Sequence, residues 1–243
     1  MITFRRKFPI GIQTFSDIRT QGYLYVDKTA LVWQMANVGK PYFLSRPRRF
    51  GKSLLVSTLE AYFEGKKELF EGLAIEKLEG KWEKYPVLHL DLNAEKYDTP
   101  ESLNAILSNQ LTQWEALYGQ GVDEKTLSNR FRGVIQRAYE QTGKGVVVLV
   151  DEYDKPLLQA IHQEELLEDY RQTLKAFYGV LKSFDRYLRF VFLTGVTKFS
   201  QVSVFSDLNQ LNDISISKAY ATICGLTKQE LLDNFSPEPG GIG

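Results

Sequence analysis

Tyr42-Phe43-Leu44 opens the stretch of sequence that decides the fold. The stretch continues with Phe50-Gly51-Lys52-Ser53 and then Leu54-Leu55-Val56-Ser57-Thr58-Leu59. The first run is apolar throughout and predicts a buried strand, while the last has the apolar spacing of a helix. Between them lies a glycine followed by a lysine and a hydroxyl residue. This order predicts a strand, a phosphate-binding turn and a helix.

The turn predicts a nucleotide site because a helix N terminus carries unpaired backbone N–H groups and a partial positive charge. Gly51 would let the backbone approach a polyphosphate, Lys52 would reach the terminal phosphates, and the Ser53 hydroxyl would ligate the accompanying magnesium ion. The usual pattern is G-x-x-x-x-G-K-S/T, and Arg46 stands at the position of its first glycine. Since Gly-Lys-Ser also occurs by chance, an ordinary helix start is the alternative.

A second feature is the unbroken apolar run Val146-Val147-Val148-Leu149-Val150, which ends in Asp151 and Glu152. Such runs are typical of parallel strands that are buried on both faces. Ligands of parallel α/β sheets bind beyond the carboxyl ends of the strands, so both carboxylates should emerge near Lys52. The pair resembles a Walker B motif, in which Asp151 would hold magnesium and Glu152 would polarise the attacking water. A solvated acidic turn is the alternative, but the two motifs together favour nucleotide binding.

A third predicted strand, Arg189-Phe190-Val191-Phe192-Leu193, leads into Thr194-Gly195-Val196-Thr197-Lys198. A polar residue at the end of such a strand could contact the γ-phosphate or the attacking water. Thr194 is the first candidate for this role and Lys198 the weaker one. Threonine is also common at strand ends because of its β-propensity, so the role is one of two interpretations.

Five stretches form a specific ensemble that extends over most of the chain: Pro9 to Gln13 with Phe15, Gly22 to Thr29, Arg46 to Leu54, Asp151 to Leu157, and Thr194 to Lys198. Together they resemble the AAA-ATPase-like proteins of bacteria and archaea. The resemblance implies an α/β fold of the P-loop NTPase class, RecA-like, with three α/β/α layers around a mostly parallel central sheet. It also implies ATP hydrolysis with the glutamate beside the Walker B aspartate as the catalytic residue. Arginine in place of the first glycine is a trait of that family.

Motifs and resemblance together give one candidate site for ATP and Mg²⁺. Its catalytic residues would be Glu152 and Thr194, and its metal ligands Ser53 and Asp151. The nucleotide would be held by Arg46, Arg48, Arg49, Phe50, Gly51, Lys52, Ser53 and Leu54.

The arginines and the nearby aromatic residues each allow two interpretations. One arginine could stabilise charge on the transferring phosphoryl group and another could pair with Asp151 or Glu152, or the three could form a simple basic loop. Phe15, Tyr23 and Tyr25 could pack against adenine, but core packing is favoured for them.

Domain organisation is predicted as one P-loop domain over residues 1–235, followed by a flexible end or the start of a linker over 236–243. The last segment, Ser236-Pro237-Glu238-Pro239-Gly240-Gly241-Ile242-Gly243, cannot continue a helix. Members of the resembled family often carry a second domain similar to PD-(D/E)XK nucleases. No P-D…(D/E)-x-K pattern follows Leu226, so a short member or a fragment is expected.

Composition favours a cytoplasmic protein with one large domain. The 243 residues are 43% hydrophobic, and 30 basic side chains balance 30 acidic ones. A net charge of +0 gives no global attraction to nucleic acid or membrane. The single cysteine, Cys224, excludes an internal disulfide, and no apolar stretch approaches the roughly 20 residues of a membrane helix.

Three functions remain open from the sequence. The first is a magnesium-dependent ATPase that acts as a nucleotide-driven switch. The second is a module that uses ATP to order a surface for an unknown protein partner, with negligible turnover. The third is the ATPase part of a nucleic-acid-processing or defence system, which the nuclease-like domains of relatives suggest and the neutral charge disfavours.

Overall fold

A computed structural model describes residues 7–39, 41–93, 96–197, 204 and 211–235. Its centre is a sheet of five strands, all of them parallel to their neighbours. The strands are β1 (Tyr42–Ser45), β2 (Val87–Asp91), β3 (Val146–Asp151), β4 (Leu188–Gly195) and β5 (Asn212–Asp213). The three strands predicted from apolar runs are therefore confirmed as β1, β3 and β4, whereas β5 was not predicted.

The strand order is β2-β3-β4-β1-β5, so β4 lies between the strand before the Gly-Lys-Ser turn and the strand that ends in Asp151. Ser45 is opposite Gly195 across β1 and β4, and Asp91 is opposite Asp151 across β2 and β3. Because all strands run in one direction, their carboxyl ends share one edge of the sheet. The predicted motifs are gathered at that edge.

Helices cover both faces of the sheet and produce the predicted three-layer α/β/α architecture. The helices are α1 (Phe15–Thr20), α2 (Thr29–Val38), α3 (Lys52–Phe63), α4 (Pro100–Tyr118), α5 (Leu127–Thr142), α6 (Lys155–Gln159), α7 (Glu164–Ser183) and α8 (Lys228–Phe235). Alternate residues of β3 face different layers: Val148 packs in the core with α4, α5 and α7, while Val147 and Leu149 pack in the core with α2 and α3. Burial of β3 on both faces explains its unbroken apolar sequence.

The chain after β5 packs against the same body as the rest. Ile214, Tyr220, Ile223 and Cys224 are buried in the core that contains α2 and α3. α8 begins with a capping box: the amide of Glu230 donates to the Thr227 hydroxyl at 3.1 Å, and the Thr227 amide donates to the Glu230 carboxylate at 2.8 Å. Residues 236–243, predicted as a flexible end or linker, lie outside the described residues, and the division at 235 stays a prediction.

The N-terminal segment and α8 lie against one another at the edge that carries the motifs. Lys28 forms an ion pair with Glu230, and the rings of Phe8 and Phe235 stack with centroids 5.3 Å apart. Both ends of the described chain therefore lie close to the loop between β1 and α3. None of the helices in the described ranges has the length and apolar character needed to span a membrane.

The end of β4 has no room for a side chain at Gly195. A Cβ atom there would lie 2.4 Å from the Tyr153 ring and 2.8 Å from the Asp154 carboxylate. We expect Gly195→Ala to destabilise the protein by about 2 kcal/mol or more, because overpacking a buried site costs that order. Urea denaturation measures the change.

Gly179→Ala is the matched control, because Gly179 lies inside α7 and an added Cβ meets nothing within 4 Å. In that position alanine should raise the free energy of unfolding by about 0.5–1 kcal/mol, as it does in helix interiors. Equal effects of the two substitutions would contradict the described packing at the end of β4.

Candidate functional site

The predicted phosphate-binding loop, residues 46–51, connects β1 to α3 and ends in Gly51. Gly51 has φ 88° and ψ 18°, a left-handed conformation that glycine adopts without steric cost. α3 begins at the next residue, and no side chain of the described residues caps its N terminus. The first N–H groups of a helix have no acceptor within it, so this end of α3 can donate to an anion. The predicted order of strand, turn and helix is confirmed.

Lys52 is the first residue of α3, and its side chain is only 3% exposed. Its Nζ donates to the carbonyl oxygens of Arg46 at 3.1 Å and Pro47 at 3.3 Å. The same nitrogen lies 3.1 Å from Oε1 of Glu152. A buried ammonium needs such partners, because an unpaired charge is costly away from water. Lys52 therefore fixes the loop after β1 against the turn after β3.

The three arginines of the loop have different surroundings. The Arg46 guanidinium donates to the carbonyl oxygens of Ser45, at 3.1 Å, and Ser215, so it fastens the loop to the chain after β5. Arg48 and Arg49 are exposed and line a cavity at the carboxyl edge of the sheet. Only these two arginines of the predicted set border the cavity in the part of the chain that the structure describes.

The suggested pairing of an arginine with Asp151 or Glu152 is wrong for the described residues. The cation beside Glu152 is Lys52, and Asp151 accepts a hydrogen bond from the Thr194 hydroxyl. The loop of residues 46–51 is linked to the acidic turn, residues 151–154, by Lys52, whose ammonium binds two loop carbonyls and the Glu152 carboxylate.

Thr194 holds the acidic turn in place from the neighbouring strand. It is fully buried and lies within β4, rather than after its end as the sequence predicted. Its hydroxyl donates to Asp151 and accepts from the Glu152 amide at 3.3 Å, while its carbonyl accepts from the Tyr153 amide at 2.9 Å. The predicted contact of Thr194 with phosphate or water stays a prediction.

Glu152 adopts φ 55°, which is uncommon for a residue with a side chain and is often found at functional sites. The turn that contains it is fixed by Thr194 on one side and by Lys52 on the other. The Glu152 carboxylate is consequently held in one place, beside the lysine of the phosphate-binding loop.

The loops after β3 and β4 are joined by a second set of hydrogen bonds. The buried carboxylate of Asp154 accepts from the amides of Val196 at 3.1 Å and Thr197 at 2.7 Å, and from the Thr197 hydroxyl at 2.8 Å. The Tyr153 hydroxyl donates to the Thr197 carbonyl at 2.9 Å. The acidic turn and the start of the loop after β4 therefore form one connected unit. Lys198, the weaker predicted sensor, lies outside the described residues.

The cavity at this edge measures about 710 Å³ and brings the predicted residues together with some that were not predicted. Of the predicted set, its walls include Arg48, Arg49, Gly51, Lys52, Ser53, Leu54 and Glu152. The residues missed from sequence are the N-terminal segment Ile10–Gln13, Asn93 and Lys155. Asn93 follows β2 as Glu152 follows β3. Because ligands of parallel sheets bind beyond the carboxyl ends of the strands, Asn93 could have been predicted in the same way as Glu152.

A second, smaller cavity of about 340 Å³ adjoins the first. The two share Ile12, Arg49, Gly51 and Leu54 as lining residues. Apolar side chains form most of the rest of the smaller cavity, among them Phe50, Ile223 and Leu226. Cys224 also lines it, and burial raises the pKa of that thiol to about 12. The thiol is therefore neutral, and it adds an apolar wall.

Residues 9–205 match the family model described as predicted AAA-ATPase. The chain belongs to the AAA-ATPase-like family. Membership and the parallel three-layer sheet agree with the predicted P-loop NTPase fold, and the family description supports ATP binding as the general function.

The AAA-ATPase-like chain is also 41% identical over 242 residues to an uncharacterized protein encoded in the vnfD 5' region of Azotobacter chroococcum mcd 1. That alignment takes in 98% of this chain and 46% of the relative, so the chain spans about half the length of the curated relative. No solved structure matches it at a significant level.

The aromatic residues that could have faced adenine divide between core and cavity in this AAA-ATPase-like chain. Phe15 is fully buried, with its ring centroid 5.0 Å from that of Tyr25 and 4.8 Å from that of Phe70, which confirms core packing. Tyr25 lines the smaller cavity, and burial raises the pKa of its phenol well above the ordinary value. Tyr23 lies half-buried with the Lys7 ammonium 5.8 Å from its ring centroid.

Proposed function

We propose that this AAA-ATPase-like chain is a magnesium-dependent ATPase whose nucleotide state acts as a switch. The observation that carries the proposal is the position of Lys52, at the start of an uncapped helix and 3.1 Å from the Glu152 carboxylate. One side chain suited to phosphate thus lies beside one suited to activating water. Both line a single cavity of about 710 Å³.

The charges of the larger cavity favour a polyanion. Its lining contains four cationic side chains, Arg48, Arg49, Lys52 and Lys155, and one carboxylate, Glu152. A triphosphate could accept hydrogen bonds from these cations and from the N–H groups at the start of α3. The overall charge of the chain is +0, so the excess of positive charge is local to the site.

The smaller cavity would take the nucleobase. It meets the phosphate cavity at Gly51 and Leu54, and its walls of Phe50, Ile223 and Leu226 offer the apolar surface that a flat aromatic base requires. A volume of about 340 Å³ accommodates a purine and part of a ribose. The nucleotide would then lie with its base against Phe50 and its phosphates over Lys52.

The donor set fits the magnesium ion that the family implies. Mg²⁺ prefers oxygen ligands and commonly keeps several waters while using one or two protein groups and the substrate phosphates. The Ser53 hydroxyl lines the phosphate cavity and the Asp151 carboxylate ends β3 at the same edge. These two residues would hold the ion, which would neutralise charge on the phosphates. In the described ranges no three His, Cys, Asp or Glu residues cluster as an all-protein metal site.

Hydrolysis requires a base that takes a proton from water, and we assign this role to Glu152. Its carboxylate lines the cavity and is held by the bonds of the acidic turn to Thr194. Lys52 would exchange part of its contact with Glu152 for contact with phosphate, because one ammonium has three donors and already serves three acceptors. Loss of part of that contact would leave carboxylate oxygen of Glu152 free to face the attacking water.

A switch follows from the way the acidic turn is connected. Any movement of Glu152 or Asp151 is transmitted to Thr194, and through Asp154 to the amides of Val196 and Thr197. That path leads from the phosphate cavity to the start of the chain between β4 and β5. The nucleotide state would in this way change the shape of a surface away from the phosphates. An unknown partner protein, or a further domain of nuclease-like character, would bind that surface.

A binding module with negligible turnover is the second candidate, favoured by the full engagement of Lys52 with Arg46, Pro47 and Glu152. A site that holds its lysine this firmly could bind ATP and hydrolyse it slowly. A cytoplasmic location remains a proposal that rests on composition, and a role in nucleic-acid processing remains one that rests on the nuclease-like domains of relatives.

Lys52→Ala and Glu152→Gln separate binding from turnover. We expect Lys52→Ala to weaken ATP binding by at least about tenfold, because it removes a charge-assisted contact to phosphate. Glu152→Gln should bind ATP with similar affinity but hydrolyse it about a hundredfold or more slowly, since it loses the general base. Isothermal titration with ATP and a phosphate-release assay with magnesium measure the two effects.

Lys182→Ala, which removes an exposed lysine of α7, is the control for loss of a positive charge. Turnover by Glu152→Gln at the wild-type rate would contradict the assignment of the base. ATP binding without any turnover, in wild type and variant alike, would favour the binding module.

Cys224→Phe tests the nucleobase cavity independently of the phosphates. Because Cys224 lines the smaller cavity and not the larger, a phenyl ring there should lower ATP affinity by about tenfold while magnesium tripolyphosphate binds as in wild type. Calorimetric titrations of both ligands give the comparison, and Cys224→Leu, a smaller insertion, should give an intermediate loss. Unchanged ATP affinity in both folded variants would show that the base lies elsewhere.

A further inference from the structure

Lys155 is a cationic residue of the phosphate cavity for which the predicted site has no role. It is the first residue of α6, three positions after Glu152, and its amide donates to the Glu152 carbonyl at 2.9 Å. The side chain is partly exposed and lines the larger cavity. The position of the acidic turn therefore sets the position of the Lys155 backbone, and Thr194 and Lys52 hold that turn in place.

The Lys155 ammonium is directed by a neutral partner. Its Nζ donates to the side-chain oxygen of Asn93 at 3.3 Å, and Asn93 itself lines the same cavity. No carboxylate of the described residues forms an ion pair with Lys155, in contrast to Lys52 beside Glu152. An amide oxygen orients the ammonium without neutralising it, so among the described residues its charge is open to an anion.

The strand order places Lys155 at one end of the site. Asn93 follows β2, and Lys155 follows the turn after β3, whereas the phosphate-binding loop follows β1 on the other side of β4. The apolar cavity adjoins that loop and is lined by Phe50 and Gly51 but not by Lys155, Asn93 or Glu152. A bound nucleotide would have its base beside Phe50, its phosphates over Lys52 and its terminal phosphate towards Glu152. Lys155 would lie on the far side of Lys52 from the base, near the terminal phosphate.

From this arrangement we propose that Lys155, oriented by Asn93, binds the terminal phosphate and makes the site discriminate ATP from ADP. This role rests on the proposed nucleotide function and assigns to Lys155 the difference in affinity between ATP and ADP. The start of α3 contacts phosphates that both nucleotides possess, and Lys52 reaches the β-phosphate, present in both, as well as the terminal phosphate of ATP. Lys155 contacts only the phosphate that ADP lacks, so its removal should affect the affinity for ATP alone.

Lys155→Met tests the proposal, because methionine keeps the length of the side chain and removes its charge. We expect the affinity for a non-hydrolysable ATP analogue to fall by about tenfold or more, as for loss of one charge-assisted hydrogen bond. The affinity for ADP should change by less than about twofold. Isothermal titration with both magnesium nucleotides measures the ratio, and circular dichroism confirms that each variant is folded.

Three companion variants sharpen the test. Lys155→Arg keeps the charge and should retain most of the preference for the ATP analogue. Asn93→Ala leaves the ammonium without its amide partner and should lose part of that preference. Lys182→Met, an exposed lysine on α7, should behave as wild type.

The outcomes separate this inference from the function on which it rests. Loss confined to the ATP analogue supports the role of Lys155. Equal loss for both nucleotides, or no loss for either, overturns it while leaving nucleotide binding intact. Failure of the wild-type chain to bind either nucleotide would instead contradict the proposed function.

Discussion

The contact on which the rest of the site depends is the buried ammonium of Lys52. It binds two carbonyl oxygens of its own loop and the carboxylate of Glu152, at distances of 3.1–3.3 Å. An ammonium that is 3% exposed has lost most of its contact with water, and burial of an unpaired charge is costly. The loop after β1 and the turn after β3 must therefore meet, although another strand separates them in the sheet. β4 makes this possible because Thr194 and Gly195 lie between the two loops and bind both: the Gly195 carbonyl accepts from the Arg46 amide at 3.1 Å.

The same arrangement explains why this edge of the sheet is so tightly constrained. Thr194 is fully buried with its hydroxyl bound to Asp151, and Gly195 has space for hydrogen only, because Tyr153 and Asp154 occupy the volume beside it. Asp154 in turn accepts from the amides of Val196 and Thr197. Buried polar networks of this kind are favourable only when all members are satisfied, so each of these bonds constrains its neighbours. Through them the end of β3 and the residues Val196 and Thr197 after β4 form one connected network.

Local patterns predicted the strands that flank the site, and the family resemblance implied the three-layer parallel fold. The unbroken apolar run predicted β3, and the position of Asp151 and Glu152 near Lys52 followed because in a parallel sheet all carboxyl ends share an edge. The same rule points to Asn93, which follows β2. The remaining residues depend on contacts distant in sequence. Arg46 fits the spacing of a phosphate-binding loop, yet its guanidinium binds the carbonyl of Ser215, 169 positions away. No periodicity predicts that contact, nor the approach of Ile10–Gln13 to the cavity.

If phosphate and Glu152 share Lys52, bound ATP must draw the ammonium partly away from the glutamate. A crystal structure of the chain with magnesium and a non-hydrolysable ATP analogue would show this directly. We expect phosphate oxygen within hydrogen-bonding distance of the Lys52 Nζ, the base beside Phe50, and a Glu152 carboxylate farther from Lys52 than 3.1 Å. A nucleotide bound elsewhere on the chain, or phosphates that do not contact Lys52, would contradict it.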